Sequence, residues 1–289
     1  MTGARFPHTA PHTISPRNNM KPAKPKKSPK PSGKIQIRSH QWYGWLPDLP
    51  DHRDFPYSAI RPRAVALPAS VDLRPGCSPV ENQLTLGSCT ANALVGALEF
   101  LELKAGATLV DLSRLFVYYN ERVIGGTVKS DSGAFLRDGI KSLAKQGVCP
   151  EPSWPYKVTA FAKKPAASCY AAARKHQITS YNRISTVDEM RGCLAEGYPF
   201  VFGFTVYDSF ESPTVAKTGV LNLPQPGEKN VGGHAVMAAG YDDATKRFLI
   251  RNSWAADWGQ AGYFTIPYDY LADRNLSDDF WTIRASEEG

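Results

Sequence analysis

The periodicity of apolar residues changes once along this 289-residue chain, and that change constrains the fold most. Helical spacing marks residues 88–105, 113–124 and 134–146, and a capping box at Thr186–Glu189 opens a fourth helix. From residue 200 onward the pattern becomes that of strands, at 200–207, 235–241, 247–253 and 262–267. Because helices precede strands and do not alternate with them, the sequence predicts an α+β fold with a helical N-terminal lobe and a strand-rich second lobe.

Charge is concentrated at the N-terminus. Residues 1–40 hold nine of the 34 Lys and Arg residues and no Asp or Glu, which leaves 25 basic against 27 acidic residues elsewhere. This Pro- and Lys-rich stretch lacks an apolar pattern, so we predict a disordered tail over residues 1–40. The tail could contact nucleic acid, an acidic partner or a membrane surface, or it could be a plain solvated extension.

The N-terminus also lacks the apolar core of a Sec signal peptide. We therefore expect a protein that stays in the cytoplasm or is exported by a non-Sec route, unless a leader is missing from this sequence. No apolar run approaches the ~18 residues that a membrane helix needs.

Three residues that are far apart in the sequence are candidate catalytic residues. Cys89 lies near the start of the first predicted helix, where unpaired N–H groups and the helix dipole favour the thiolate. His234 and Asn252 follow far downstream, in the strand-rich half. A nucleophile, a base and a group that orients the base are the catalytic groups of a cysteine hydrolase. Because Cys89 lies in the helical lobe and the other two residues lie in the strand-rich lobe, we expect the active-site cleft between the two lobes.

Several motifs around these residues resemble the papain-like cysteine peptidases, the C1 papain family. They are Gln83 with Gly87-Ser88-Cys89, Gly233-His234-Ala235, the run from Asn252 to Tyr263, and Leu67-Pro68 through Arg74, which is similar to the start of the mature domain. The resemblance covers residues 67–285 and is stronger to the bacterial members than to plant or lysosomal ones. It implies a papain-like two-lobe fold with an antiparallel β-barrel-like second lobe, and a peptidase domain over residues 67–289.

The resemblance also implies a mechanism, that of a cysteine-type endopeptidase acting on peptides or proteins. Cys89 would attack the scissile carbonyl, His234 would hold the proton as imidazolium, and Asn252 would orient the imidazole. The Gln83 amide and the Cys89 N–H would form the oxyanion hole. Each residue alone has a plain structural meaning, a lone Cys being usually a small buried hydrophobe. The four together, in order, favour catalysis.

Further residues carry substrate-binding roles that the resemblance implies. Extended peptide would pair with the backbone of Ser132, Gly133 and Ala134, and Gly233 would leave room for a substrate side chain. The resemblance also implies roles for two tryptophans. Trp254 would shield the His–Asn hydrogen bond from water, and Trp258 would line the leaving-group side of the cleft. No cofactor or metal is expected, since no Cys-x-x-Cys spacing exists, and we expect a monomer.

The chain departs from the family pattern at several positions. Leu86 replaces a usual disulfide Cys, Thr90 replaces the Trp after the nucleophile, and Ala255 replaces a Gly. The other cysteines are Cys77, Cys149, Cys169 and Cys193. Cys193 should be buried and unpaired, whereas Cys149 and Cys169 could pair in an oxidising setting; without a signal peptide we favour thiols.

An aromatic segment over residues 41–66 precedes the peptidase domain. Five of the seventeen residues from 41 to 57 are aromatic and three are Pro, so this part should be extended and packed against the body. It is either a structural strap or a prosegment that covers the cleft and makes the chain a zymogen.

Three other functions stay open. The same triad serves acyl transfer, as in transglutaminase-like or acetyltransferase-like enzymes. The cleft could bind peptides without cleaving them, although all four catalytic positions are filled. The chain could also be chiefly a nucleic-acid or surface binder through its tail.

Overall fold

A computed structural model describes residues 43–60 and 66–285 of the chain. The basic tail 1–40, Gln41, Trp42, residues 61–65 and residues 286–289 lie outside the described residues, so the predictions made for the tail stay predictions.

The helices concentrate in the first two thirds of the described chain. They are α1 (Cys89–Lys104), α2 (Arg114–Ile124), α3 (Leu136–Lys145), α4 (Ala167–Ala173), α5 (Val187–Ala195), α6 (Pro213–Thr218) and α7 (Tyr268–Ala272).

Local chemistry explains where the long helices begin and end. Gly106, at a φ of 88°, adopts the left-handed conformation that follows α1. The side chain of Ser113 accepts a hydrogen bond from Phe116 N and caps α2. The capping box predicted at Thr186 and Glu189 is present at the start of α5. The helix predicted over residues 134–146 is wrong at its start, because its first two residues form a strand.

The strands build one large sheet and one small one. They are β1 (Trp45–Leu46), β2 (Ser70–Asp72), β3 (Ala134–Phe135), β4 (Ile178–Arg183), β5 (Phe200–Tyr207), β6 (Asn230–Asp242), β7 (Arg247–Arg251), β8 (Tyr263–Pro267) and β9 (Ser277–Ala285). The large sheet has the order β4-β9-β5-β6-β7-β8, with β2 also paired to β6. Its neighbours are antiparallel, whereas β1 and β3 form a short parallel pair.

The helical segments and the sheet pack as two lobes, which confirms the predicted α+β class. One apolar core surrounds α1, and a second lies in the sheet around Phe200, Phe202 and Phe204 of β5. Helix α1 packs directly against β6. This contact brings the first residue of α1 to the strand that carries His234. No helix within residues 43–60 and 66–285 is long and apolar enough to cross a membrane.

The aromatic segment lies on the surface of both lobes. Trp45 and Tyr57 are buried, as expected of a packed segment. Phe55, however, is 70% exposed, because its backbone carbonyl accepts from Arg183 N and its side chain is left facing solvent. Within residues 43–60, the extended backbone is interrupted by a turn, closed by a hydrogen bond from Asp54 N to Asp51 O, and by a short 3-10 helix at Tyr57–Ala59.

Candidate active site

Cys89 is the first residue of α1 and is fully buried. Burial raises the pKa of its thiol to about 11, while hydrogen bonds from the backbone of Ala235, Gly44 and Thr90 act in the opposite direction. The helix start alone predicts a lowered pKa. The pKa is raised instead because the sulfur is buried away from water and because the nearby Glu121 carboxylate disfavours a second negative charge.

His234 and Asn252 form a buried pair at the same lobe contact. His234 lies in β6, Asn252 follows β7, and His234 Nε2 stands 2.9 Å from Asn252 Oδ1. An amide oxygen only accepts, so this hydrogen bond requires the proton on Nε2. Ser253 N donates to the same oxygen at 2.8 Å and holds the Asn252 side chain in place.

Aromatic rings enclose the imidazole of His234. The Trp254 ring lies 5.1 Å away at 31°, and Trp258 packs edge-on against Trp254 at 5.2 Å. Tyr43 of the aromatic segment meets the imidazole edge-on at 5.7 Å. Trp254 therefore packs against the imidazole of His234, whereas Trp258 is buried behind Trp254, in the sheet core.

Gln83 is tied to the loop that follows Asn252. Its Oε1 accepts from Ser253 Oγ at 2.6 Å, its backbone N donates to Ser253 O at 2.9 Å, and its Nε2 donates to Leu86 O at 2.9 Å. These bonds fix the amide at the base of the turn that leads into Cys89.

A carboxylate connects the Cys89 turn to the turn that contains Gly133. Gly87 N donates to both oxygens of Asp131 at 3.1 Å. The Tyr118 hydroxyl donates to Asp131 and accepts from Gly133 N at 3.2 Å. Neither Asp131 nor Tyr118 was predicted as a site residue, although an acidic residue just before the predicted peptide-binding turn was a usable signal.

Residues 43–48, which we call the covering segment, occupy the groove beside Cys89. Ala134 N donates to Gly44 O at 2.7 Å, and Trp45 pairs with Ala134 in the β1–β3 ladder. A Cβ added at Gly133 would lie 2.1 Å from Gly44 O, and one at Gly233 would lie 2.7 Å from Trp45 O.

Three of the predicted substrate-binding residues, Gly133, Ala134 and Gly233, therefore contact a segment of their own chain. Ser132 is half-buried, and its Oγ donates to Gly133 O at 3.2 Å.

The remaining cysteines are separate from the site. All five cysteines are free thiols, and Cys193 is buried as predicted. Within the two described ranges, no group of three or more His, Cys, Asp or Glu side chains could hold a metal ion.

Comparison with known proteins identifies the class to which this fold and site belong. The family described as "Papain family cysteine protease" matches residues 67–277. The chain therefore belongs to the papain family and is a cysteine endopeptidase.

Individual relatives agree with that class. The structure of xylellain, a cysteine protease from Xylella fastidiosa, matches with 44% identity and a TM-score of 0.81, over 86% of this chain and 98% of that one. An uncharacterized peptidase C1-like protein of Acanthamoeba polyphaga mimivirus is 40% identical over 269 residues, 84% of this chain and 86% of that protein. Digestive procathepsin L 3 of Tenebrio molitor shares the fold, with a TM-score of 0.67 at 17% identity, over 86% of this chain and 77% of that one.

Proposed function

We propose that the chain cleaves peptide bonds with Cys89, His234, Asn252 and Gln83, and that the covering segment holds this site in a latent state. The observation that carries the proposal is a length of extended backbone lying against the Cys89 sulfur and hydrogen-bonded to Ala134. A groove that binds one extended peptide in this way is suited to bind another as substrate.

In the proposed reaction, His234 Nδ1 removes the thiol proton, and the Cys89 sulfur attacks the scissile carbonyl carbon. A C–S bond forms and the carbonyl π electrons move to oxygen. The imidazolium then protonates the leaving amine as the C–N bond breaks, and water hydrolyses the thioester. Asn252 keeps the Nε2 proton engaged and so directs Nδ1 to the sulfur, while Trp254 keeps water from that bond.

Charge develops on the carbonyl oxygen in the tetrahedral intermediate. The Gln83 amide and the Cys89 backbone N–H are the proposed donors to it. The Ser253 bond to Gln83 Oε1 supports this role, because it directs the NH₂ end of the amide away from Ser253 and toward the Cys89 turn.

The direction of the covering segment supports latency. Tyr43 lies against His234 and Trp254, the proposed leaving-group side, Gly44 lies at Cys89, and Trp45 lies on the acyl side. A substrate runs from its acyl residues to its leaving group, so the covering segment runs the opposite way and resists cleavage. The Tenebrio neighbour is itself a proform, a procathepsin, which agrees with a covered state.

Hydrolysis of a peptidyl-aminomethylcoumarin and labelling by an epoxide thiol trap test the catalytic assignment. We expect Cys89→Ala to abolish both signals and His234→Ala to reduce turnover by at least about a hundredfold. Cys193→Ala is the matched control, a buried thiol outside the site, and should retain both signals. Turnover that persists in Cys89→Ala would contradict the proposal. Labelling of Cys89 by the epoxide, without release of aminomethylcoumarin from any peptide substrate, would also contradict it.

A further inference from the structure

The side chain of Trp45 fills a pocket whose walls are kept open by two glycines. A Cβ added at Gly203 of β5 would lie 1.9 Å from Trp45 Cε2, and one added at Gly233 of β6 would lie 2.7 Å from Trp45 Cε3. Any larger residue at either position would occupy the volume of the indole. The pocket is therefore built to hold a large flat side chain.

A buried carboxylate lies at the inner end of this pocket. Asp279 of β9 is 0% exposed, and its Oδ2 accepts from Trp45 Nε1 at 3.0 Å and from Asp48 N at 2.7 Å. Its other oxygen accepts from Arg183 at 2.8 Å. Both donors to Oδ2 belong to the covering segment, so the departure of that segment leaves Oδ2 without them.

The backbone of β9 is shaped to direct this carboxylate. Asp279 has a φ of 58°, in the left-handed region that Asp tolerates better than most residues. The register between β5 and β9 shifts between Val201 and Gly203, the feature of a β-bulge. Bulges redirect side chains, here toward the space beside Gly203.

We infer that Asp279 selects substrates with tryptophan at the second residue on the acyl side of the cleaved bond. Gly44 lies at Cys89 and Trp45 is the next residue on the acyl side, which identifies the position. This inference rests on the proposed peptidase function. A phenylalanine is also flat and aromatic, but it is smaller and has no N–H, so it leaves Oδ2 buried without that donor, which is costly.

The charges around the pocket favour a neutral donor over a cation. Arg183 pairs with Asp279 directly, and Arg137 is close enough to interact with its charge. Two guanidinium groups thus remain near the carboxylate once the segment leaves, so arginine gains less there than the indole N–H does.

Turnover of four peptidyl-aminomethylcoumarins tests the inference, with Trp, Phe, Arg or Leu at the second position and the full-length Trp45→Ala chain as enzyme. That substitution empties the pocket. We expect kcat/KM for Trp to exceed that for Phe at least about tenfold, as expected when a buried acceptor loses its donor. Asp279→Gly, which suits the positive φ, should bring the ratio near one. Asp278→Gly, which also removes a carboxylate paired with Arg183, should keep the ratio.

A second variant measures recognition without peptide turnover. Trp45→Phe in the otherwise unchanged full chain removes the indole N–H and part of the ring, and it should speed epoxide labelling of Cys89 about tenfold. The same substitution in an Asp279→Gly chain loses only the ring contacts and should speed labelling clearly less. Equal kcat/KM for Trp and Phe in the Trp45→Ala chain would overturn the inference and leave the peptidase standing. Absence of both turnover and Cys89-dependent labelling would instead overturn the proposed function and this inference with it.

Discussion

Gln83 is held from both sides, by the Ser253 hydroxyl on its oxygen and by the Leu86 carbonyl on its nitrogen. Gln83→Glu keeps an oxygen for Ser253 but has no amide N–H, so it cannot donate to the oxyanion. We expect the activation free energy of the kcat step to rise by about 2.7–4 kcal/mol, so that kcat falls while KM is little changed. Steady-state kinetics on one peptide measure both constants.

Asn82→Asp is the control for this substitution. Asn82 accepts from Leu84 N through its oxygen, which an aspartate retains. If Gln83→Glu lowers kcat/KM only by raising KM, with kcat unchanged, the proposed role of Gln83 as a donor to the oxyanion is contradicted.

Single residues also show what could be predicted from the sequence. Cys89, His234 and Asn252 are recognisable because their chemical types occur in a fixed order. Asp131 and Asp279 are not, since their partners lie 44 and more than 200 residues away along the chain. Their roles depend on turns and a bulge that bring distant segments together.

At the scale of elements, the turn before α1 and the turn before β3 are connected through Asp131 and Tyr118. The family resemblance places a disulfide Cys at the position of Leu86, and the Gly87–Asp131 hydrogen bonds connect the same region here. Removing a hydrogen bond to a charged group costs about 1.5–3 kcal/mol. We expect Asp131→Ala to lower kcat/KM about tenfold or more, mainly through KM, because the groove walls lose their spacing.

Asp188→Ala, an exposed carboxylate at the start of α5, serves as the matched control. Kinetics on a series of peptides of increasing length would locate the loss. A fall in kcat with KM unchanged would contradict a role in spacing the groove.

Elements with strong, local apolar periodicity are the ones that the sequence predicts best. Helix α1 and strand β5 have nearly their predicted bounds, and α5 has its predicted cap. The start of α3 was mispredicted because Ala134 and Phe135 pair with Trp45 and Leu46, a contact invisible to local periodicity. Strands β4 and β9 were missed, since their polar residues interrupt any alternation.

At the scale of the whole molecule, the covering segment joins both lobes, and its Asp48 is a buried acid. Burial and then the charge of Asp279 raise the pKa of Asp48 to about 7, while hydrogen bonding to Trp281 and the charge of Arg137 oppose this. Arg183 also faces Asp48, at 3.6 Å. The pKa of a solvent-exposed Asp is about 3.9, so Asp48 binds its proton more tightly when the covering segment is docked than when it is released.

Docking should therefore be strongest below about pH 4 and weaken as the pH rises through about 7. Amide hydrogen exchange at Ala134, whose N–H donates to Gly44 O, reports docking directly. In a full-length Cys89→Ala chain, and after correction for intrinsic exchange, we expect protection to fall at least about tenfold between pH 4 and pH 8. Asp48→Asn cannot titrate and should lack this dependence; protection that increases with pH would refute the prediction.

In the proposed function, Cys89 belongs to a peptidase site that the covering segment holds closed. A Cβ added at Gly44 would lie 1.8 Å from Gly87 O, so Gly44→Ala cannot dock as the wild type does. At Gly125, by contrast, an added Cβ meets nothing closer than 3.7 Å, which makes Gly125→Ala the control.

The direct test compares peptidyl-aminomethylcoumarin turnover and Cys89 labelling in full-length wild-type, Gly44→Ala and Gly125→Ala chains. We predict that Gly44→Ala raises both rates about tenfold or more, the scale expected of a steric clash of this kind. Gly125→Ala should match the wild type, and adding Cys89→Ala should remove both signals. Equal rates in the Gly44→Ala and wild-type chains, or turnover that survives Cys89→Ala, would contradict the claim.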